Sequence, residues 1–289
     1  MTPFEGGKLD EEALDNLIKA QIAAGVDGIV PVGTTGESPT LDYEEHIRVI
    51  EAAINSAGGK IKILAGTGGN STTEAVFLTK AAADAGADGS LQVAPYYNKP
   101  TQEGLFQHFK AIADATRLPL VLYSIPSRCG VEIAIETIKR LATSCKTVVG
   151  IKEAGGAPDR VSQIREAVDD DFTILCGDDS LILPFMAVGA DGVVSVASNV
   201  IPREVAQMVA AFAAGKIETA QKLHHKFFPL FKALFIETNP IPVKAALAMM
   251  GEIEEEYRLP LVPIGAKHRE ALRLVMMECG VLKKAVVSQ

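Results

Sequence analysis

The residue whose setting most invites chemistry is Lys152, at the end of Thr147-Val148-Val149-Gly150-Ile151-Lys152-Glu153. An apolar, β-branched run of this kind reads as a buried strand, and parallel α/β sheets gather their reactive groups at the carboxyl ends of the strands. An apolar pocket disfavours an ammonium ion, so an amine delivered there keeps a lone pair able to attack a carbonyl carbon and form an imine. Lysines at strand ends are also common as solvated terminal residues, so the reading depends on what other strands bring to the same place.

Other segments carry groups suited to a carbonyl reaction. Gly33-Thr34-Thr35-Gly36-Glu37-Ser38 follows a strand pattern. Its hydroxyls, small residues and adjacent amides suit a bound carboxylate, although a plain glycine-containing turn has the same composition. Tyr123 ends Leu120-Val121-Leu122-Tyr123, where a phenol can pass protons, and Arg128 stands five residues on. A guanidinium there can grip a carboxylate through two hydrogen bonds; a core tyrosine beside a solvated arginine is the alternative. Tyr96 and Tyr97 point to opposite sides, and so serve different sites, if strand geometry persists through them. Gly177-Asp178-Asp179 could be taken for a metal pair, but adjacent carboxylates also cap the following helix, and capping is the reading adopted. The five histidines, His46, His108, His224, His225 and His268, show neither HxxxH nor HExxH spacing, so no metal site is expected and no cofactor is called for.

These groups need a frame that brings strand ends together. Ala24-Gly25-Val26-Asp27-Gly28, Ala85-Gly86-Ala87-Asp88-Gly89 and Val188-Gly189-Ala190-Asp191-Gly192 each join a helical pattern to a strand pattern, with Gly25, Gly86 and Gly189 suited to left-handed helix ends. The first two stand about two βα units of roughly 30 residues apart. Leu14, Leu17, Ile18 and Ile22 share one helical face behind the candidate N-cap Asp10. Strands are expected near 28–33, 61–66, 89–95, 119–124, 147–152, 172–177 and 192–196, alternating with helices as in a (β/α)8 TIM barrel. The eighth strand should precede Asp10, where only Met1-Thr2-Pro3-Phe4 is available, so the first strand is truncated. Either the barrel opens beside strand 28–33 or the true start lies upstream. Beyond residue 214 the alternation gives way to helices, with Ile217, Ala220, Leu223, Phe227, Phe231 and Leu234 at helical spacing, Pro229 expected to kink or interrupt them, and further helices near 240–250 and 266–279. The expected division is a catalytic barrel over 1–214 and a C-terminal helical domain over 215–289.

Composition excludes several function classes. A chain of 289 residues with 48% hydrophobic content has ample core for a folded α/β protein. A formal net charge of -8, with no stripe of lysine or arginine, argues against nucleic acid as a partner. No apolar run approaches the roughly 20 residues a bilayer span requires, so a cytoplasmic protein without a membrane partner is expected. The four cysteines, Cys129, Cys145, Cys176 and Cys279, lack CxxC spacing and read as free thiols, with Cys129 the one adjacent to a candidate site residue.

In order and spacing, Gly33-Thr34-Thr35-Gly36-Glu37, Pro95-Tyr96-Tyr97-Asn98-Lys99-Pro100, Tyr123-Ser124-Ile125-Pro126-Ser127-Arg128, Gly150-Ile151-Lys152-Glu153 and Asn239-Pro240-Ile241-Pro242-Val243-Lys244 resemble the pyruvate-dependent class I aldolase superfamily. Within it they are most similar to the dihydrodipicolinate synthase family, over nearly the whole chain. The resemblance implies condensation of pyruvate with L-aspartate 4-semialdehyde to 4-hydroxy-tetrahydrodipicolinate, on the route to diaminopimelate and lysine. It implies that Lys152 forms the imine, that Tyr123 relays protons through Thr34, and that Tyr97 completes the relay of a neighbouring subunit. The amides of Thr34 and Thr35 would hold the pyruvate carboxylate, Arg128 the carboxylate of the second substrate, and Gly177 and Val194 would line the pocket with backbone groups. Ser38, His46, Asn70, Glu74 and Tyr96 match positions that form an inhibitory lysine pocket between paired subunits, with Pro39 and Tyr43 departing from its best-known version. A homo-oligomer, dimer or dimer of dimers, follows from the same resemblance. N-acetylneuraminate lyase and other 2-keto-3-deoxy sugar-acid aldolases share the lysine and tyrosine but are less similar at Thr35 and Arg128. A catalytically silent, pyruvate-binding or assembly barrel would not need all of Lys152, Tyr123, Thr34, Tyr97 and Arg128. Where the family usually has asparagine this chain has Ser124, with one amide fewer to brace the loop after Tyr123.

Overall fold

The computed structural model describes residues 1–283. β1 (Phe4–Glu5) and β2 (Lys8–Leu9) pair as a short antiparallel hairpin. The chain then alternates through α1 (Glu11–Ala24), β3 (Gly28–Ile29), α2 (Tyr43–Ala57), β4 (Lys62–Gly66), α3 (Thr72–Ala85), β5 (Gly89–Val93), α4 (Gln102–Ala115) and β6 (Leu120–Ser124). The short α5 (Pro126–Cys129) precedes α6 (Ile135–Ser144), β7 (Val148–Glu153), α7 (Pro158–Ala167), β8 (Thr173–Cys176), α8 (Ile182–Ala187), β9 (Gly192–Val193) and α9 (Pro202–Ala213). Three C-terminal helices complete it: α10 (Ile217–Ala233), α11 (Ile241–Met250) and α12 (Ala266–Glu278).

Strands β3 to β9 form one seven-stranded parallel sheet in sequence order, the arrangement of a (β/α)8 barrel with one strand position unfilled among the described residues. The opening lies beside the expected strand 28–33, because β3 and β9 are the two edges of the sheet. Those edges are also where the strands fall short of expectation, each holding two residues in place of the longer runs at 28–33 and 192–196. A strand with a neighbour on one side alone gains half the ladder bonds, so its ends leave the sheet sooner.

Local signals set the helices as read. The Asp10 carboxylate accepts from the Ala13 amide at 2.9 Å, and Asp42 accepts from the Glu45 amide at 2.8 Å, capping α1 and α2. Gly25 and Gly86 end α1 and α3 at φ 87° and 94°, a left-handed turn that glycine enters at least cost. Between sheet and helices, Leu120, Leu122, Ile151 and Ile174 meet Phe109, Ile112, Ile138, Leu141 and Ile164 in an outer core. The C-terminal helices share a second core with α8 and α9, through Phe227, Leu230, Phe231, Val243 and Leu272. Pro229, expected to kink or interrupt the helical run, sits inside α10 without ending it. The buried face of Ala220, Phe227, Leu230 and Phe231 offsets the single backbone bond that proline removes.

The pairing of β6 with β7 is irregular. Leu120 pairs with Val148 but Val121 pairs with Gly150, so Val149 is an extra residue, and it stands 37% exposed. After this bulge Tyr123 pairs with Lys152. No described helix is long and apolar enough to cross a membrane.

His108 on α4 is buried against the start of α3, its Nδ1 2.9 Å from the Thr72 hydroxyl and its Nε2 without a partner. Burial pulls its pKa from the ordinary 6.5 down to about 4. As pH falls below the unfolded value, the unfolded chain takes up a proton that the folded chain refuses. Stability is therefore lost between those two values, by up to about 3 kcal/mol. His46, lowered for the same reason, acts in the same direction. His108→Gln is expected to shrink the fall in melting temperature between about pH 7 and about pH 5. A variant whose melting temperature fell as steeply as the parent's would show that another group governs this window.

Candidate active site

The register of β6 and β7 brings the two reactive candidates together. The Lys152 Nζ lies 4.2 Å from the centroid of the Tyr123 ring, and Tyr123 is buried. Both line a cavity of about 410 Å³, large enough for small carbonyl substrates. Its floor is the barrel interior, with Leu64, Leu91 and Leu175, and it continues along the gap between β3 and β9 past Gly28, Ile29 and Gly192. Thr34, Thr35, Arg128, Gly177 and Val194 line the same cavity, so seven of the expected site residues converge.

Each arrives from the carboxyl end of a strand. After β3, Thr34–Gly36 form one turn of 3-10 helix, closed by Gly36 N to Gly33 O at 2.9 Å and Glu37 N to Thr34 O at 3.1 Å. The amides of Thr34 and Thr35 are the first of that turn and carry no bond within it, which is the geometry that receives an anion. After β6, Arg128 stands on α5 and donates from Nη2 to the Asn239 carbonyl at 3.2 Å. After β8, Gly177 donates its amide to the Glu153 carbonyl at 2.8 Å. After β9, Val194 donates to the Cys176 carbonyl at 2.9 Å. The loop beyond Val194 is held by Asp179, which accepts from the Ser195 hydroxyl and from the Val196 and Ala197 amides at 3.0 and 2.9 Å. Burial pushes the Asp179 carboxyl upward, and those donors oppose the shift. Asp178 caps the following turn by accepting from the Ser180 amide, so capping holds for this residue while Asp179 reaches across to the next loop.

Tyr97 is not in this cavity. It stands 90% exposed at φ 70°, and because β5 ends at Val93 the alternation of a strand does not govern Tyr96 and Tyr97. The five residues matched to a lysine pocket also lie off the cavity. Asn70 donates to the Tyr96 carbonyl at 3.3 Å, and Tyr96 has a raised pKa through burial and then the nearby Glu74 charge. His46 is buried on α2 with Nε2 2.7 Å from the Gly66 carbonyl, and Ser38 begins the turn after Glu37. Cys129 and Cys176 are buried, and burial pushes their thiols up to about 11 and about 12, so neither competes as a nucleophile. Ser124 is fully buried and accepts from the Ile133 amide at 3.4 Å, so the serine still ties the strand end to the segment after Arg128.

Asn239 is the site residue to which the sequence reading gave no role. It lines the cavity, donates from Nδ2 to the Thr35 hydroxyl at 3.0 Å, and lends its carbonyl to Arg128, joining the two candidate carboxylate binders. The signal was a polar residue directly ahead of Pro240-Ile241-Pro242, where an apolar helix begins.

The sequence pattern of the Dihydrodipicolinate synthetase family matches residues 1–278. The chain is similar to the 4-hydroxy-tetrahydrodipicolinate synthase of Syntrophus aciditrophicus (strain SB), 53% identical over 282 residues spanning 98% of this chain and 97% of the relative. Among solved structures, the 4-hydroxy-tetrahydrodipicolinate synthase of Methylacidiphilum fumariolicum SolV has a TM-score of 0.96 at 55% identity, covering 97% of this chain and 93% of its own. The enzyme of Cyanidioschyzon merolae with lysine bound has a TM-score of 0.95 at 42% identity, covering 98% and 96%.

Gly177 offers a test of how the amine is held. A Cβ there would stand 2.7 Å from the Ala154 Cβ and 3.1 Å from the Lys152 Cε. Gly177→Ala is therefore expected to push the lysine aside and slow its imine formation with a 2-keto acid by about a hundredfold, read by hydride reduction and mass spectrometry. Reduction as fast as in the parent would show that this contact does not set the amine.

Proposed function

Since the chain belongs to the dihydrodipicolinate synthetase family, a family of lyases, we propose that it condenses pyruvate with L-aspartate 4-semialdehyde to 4-hydroxy-tetrahydrodipicolinate, a step toward diaminopimelate and lysine. The observation that carries this reading is the Lys152 amine over the Tyr123 ring, in one cavity with Thr34, Thr35 and Arg128. Lys152 attacks C2 of pyruvate, and loss of water leaves an imine whose protonated nitrogen acts as an electron sink. A proton leaves C3 to give the enamine, which attacks the aldehyde carbon of the second substrate. The amine of the product then displaces Lys152 and closes the ring. Tyr123 and Thr34 move the protons, and Tyr97, exposed on this subunit, completes the relay of a partner in a homo-oligomer. The Thr34 and Thr35 amides hold the pyruvate carboxylate, and Arg128 holds that of the semialdehyde. Gly177 and Val194 supply backbone walls.

Hydride reduction in the presence of pyruvate is expected to fix a pyruvate-derived mass on Lys152, and Lys152→Ala is expected to abolish it. Turnover should appear with pyruvate plus aspartate semialdehyde. Turnover confined to pyruvate plus N-acetylmannosamine would assign the chain to the sugar-acid aldolases, whose second substrate has no carboxylate to occupy Arg128.

Lysine is proposed as an inhibitor at Ser38, His46, Asn70, Glu74 and Tyr96. The support is the likeness to a lysine-bound relative and the grouping of Asn70, Glu74 and Tyr96. Glu74 offers a carboxylate to the effector's ammonium. Millimolar lysine is expected to lower the initial rate, and Glu74→Gln to weaken that effect about tenfold or more. An initial rate indifferent to lysine would remove the inhibitory site.

A further inference from the structure

Lys244 is the one charged residue of α11, within Ile241-Pro242-Val243-Lys244-Ala245-Ala246-Leu247, and it is fully buried. Its ammonium donates to Oε1 of Glu37, which is 2% exposed, and the Arg258 amide donates to the other carboxylate oxygen at 3.3 Å. The rings of Phe4 and Tyr257 stand 4.3 and 5.4 Å from the same nitrogen. A buried ion pair is poor value as a stabiliser, because desolvating both ions consumes most of their attraction; its distinctive effect is to fix one element's position against another. Here the elements are α11 and the carboxylate-binding turn. Glu37 directly follows Thr34–Gly36 and holds φ 53°, a backbone conformation that a residue other than glycine keeps when its surroundings impose it. Asn239, just ahead of α11, holds Thr35 in the middle of the turn. The turn is thus gripped at Thr35 and at Glu37 from one helix and its leading residue.

We propose that Lys244, through its ion pair with Glu37, is a positioning residue that holds the Thr34 and Thr35 amides and the Thr34 hydroxyl in place relative to Lys152. This rests on the reaction proposed above and assigns a part of it to the C-terminal helices, which touch no reacting atom through Lys244. The pair adjoins the Thr34–Gly36 turn, to which the proposed reaction gives the pyruvate carboxylate, whereas Arg128 is held by the Asn239 carbonyl. Loss of the pair therefore acts unequally on the two substrates.

Lys244→Met and the double variant Glu37→Gln/Lys244→Met test this, assayed well below their melting temperatures. Lys244→Met is expected to raise KM for pyruvate and lower kcat, each by about tenfold, while KM for aspartate semialdehyde moves less than about threefold. Amide exchange over residues 34–37 should speed by about tenfold beyond any change in the sheet. The double variant, with no unpaired buried charge, should recover melting temperature while KM for pyruvate stays raised. Parent-like kcat and KM in folded Lys244→Met, with exchange at 34–37 rising only in step with the rest of the protein, would overturn the proposal. If the parent itself turns over no pyruvate, the proposed reaction fails, and exchange at 34–37 alone decides whether Lys244 holds the turn.

Discussion

One extra residue in β7 determines which way Lys152, the candidate imine-forming residue, faces. Val148 and Ile151 both belong to the outer core between sheet and helices, whereas Lys152 lines the cavity inside. Strict alternation from Val148 would put Lys152 on the outer face with it, since neighbours along a strand take opposite sides. The bulge at Val149 resets the phase, so Tyr123 becomes the partner of Lys152 and both enter the barrel. A register slip here would move the amine into the helix layer and leave the tyrosine without it.

From that pairing outward, the site is assembled by contacts between the ends of different strands. Gly177 lets the β8 loop pass close to the lysine stem, where a methyl group would collide. Asp179 secures the loop that carries Val194 by spending its buried carboxylate on two amides and a hydroxyl. On the far side, Asn239 binds the Thr35 hydroxyl and the Arg128 guanidinium to the approach of α11, so the candidate anion sites share one support. The C-terminal helices therefore contribute to geometry at the cavity as well as to the second core.

Much of this frame was legible in the residues. Glycines at 25 and 86, the Asp10 cap and the β-branched runs each encode a local conformation, and local conformations are what patterning reports. The convergence of Lys152, Tyr123, Thr34 and Arg128 followed from ordered motifs at strand ends. What escaped the sequence is non-local or depends on competition between forces. Pro229 was expected to disturb α10, yet the buried apolar face carries the helix through it. The Val149 bulge had one local sign, Gly150 inside the strand pattern, but the register it sets against β6 is a non-local property. Glu37 and Lys244 lie 207 positions apart, and only folding makes a pair of them. At the open side of the barrel, β3 stops ahead of Pro31 and of Val32, which holds φ 56°, and neither β3 nor β9 has a second neighbour in the sheet.

The most direct measurement is the electron density of crystals soaked in pyruvate. Continuous density from the Lys152 Nζ to C2 of the keto acid, with its carboxylate on the Thr34 and Thr35 amides and the Tyr123 hydroxyl facing the new bond, is the expected result. Pyruvate bound elsewhere, or lying in the cavity with the lysine nitrogen unmodified and turned toward the helices, would contradict it.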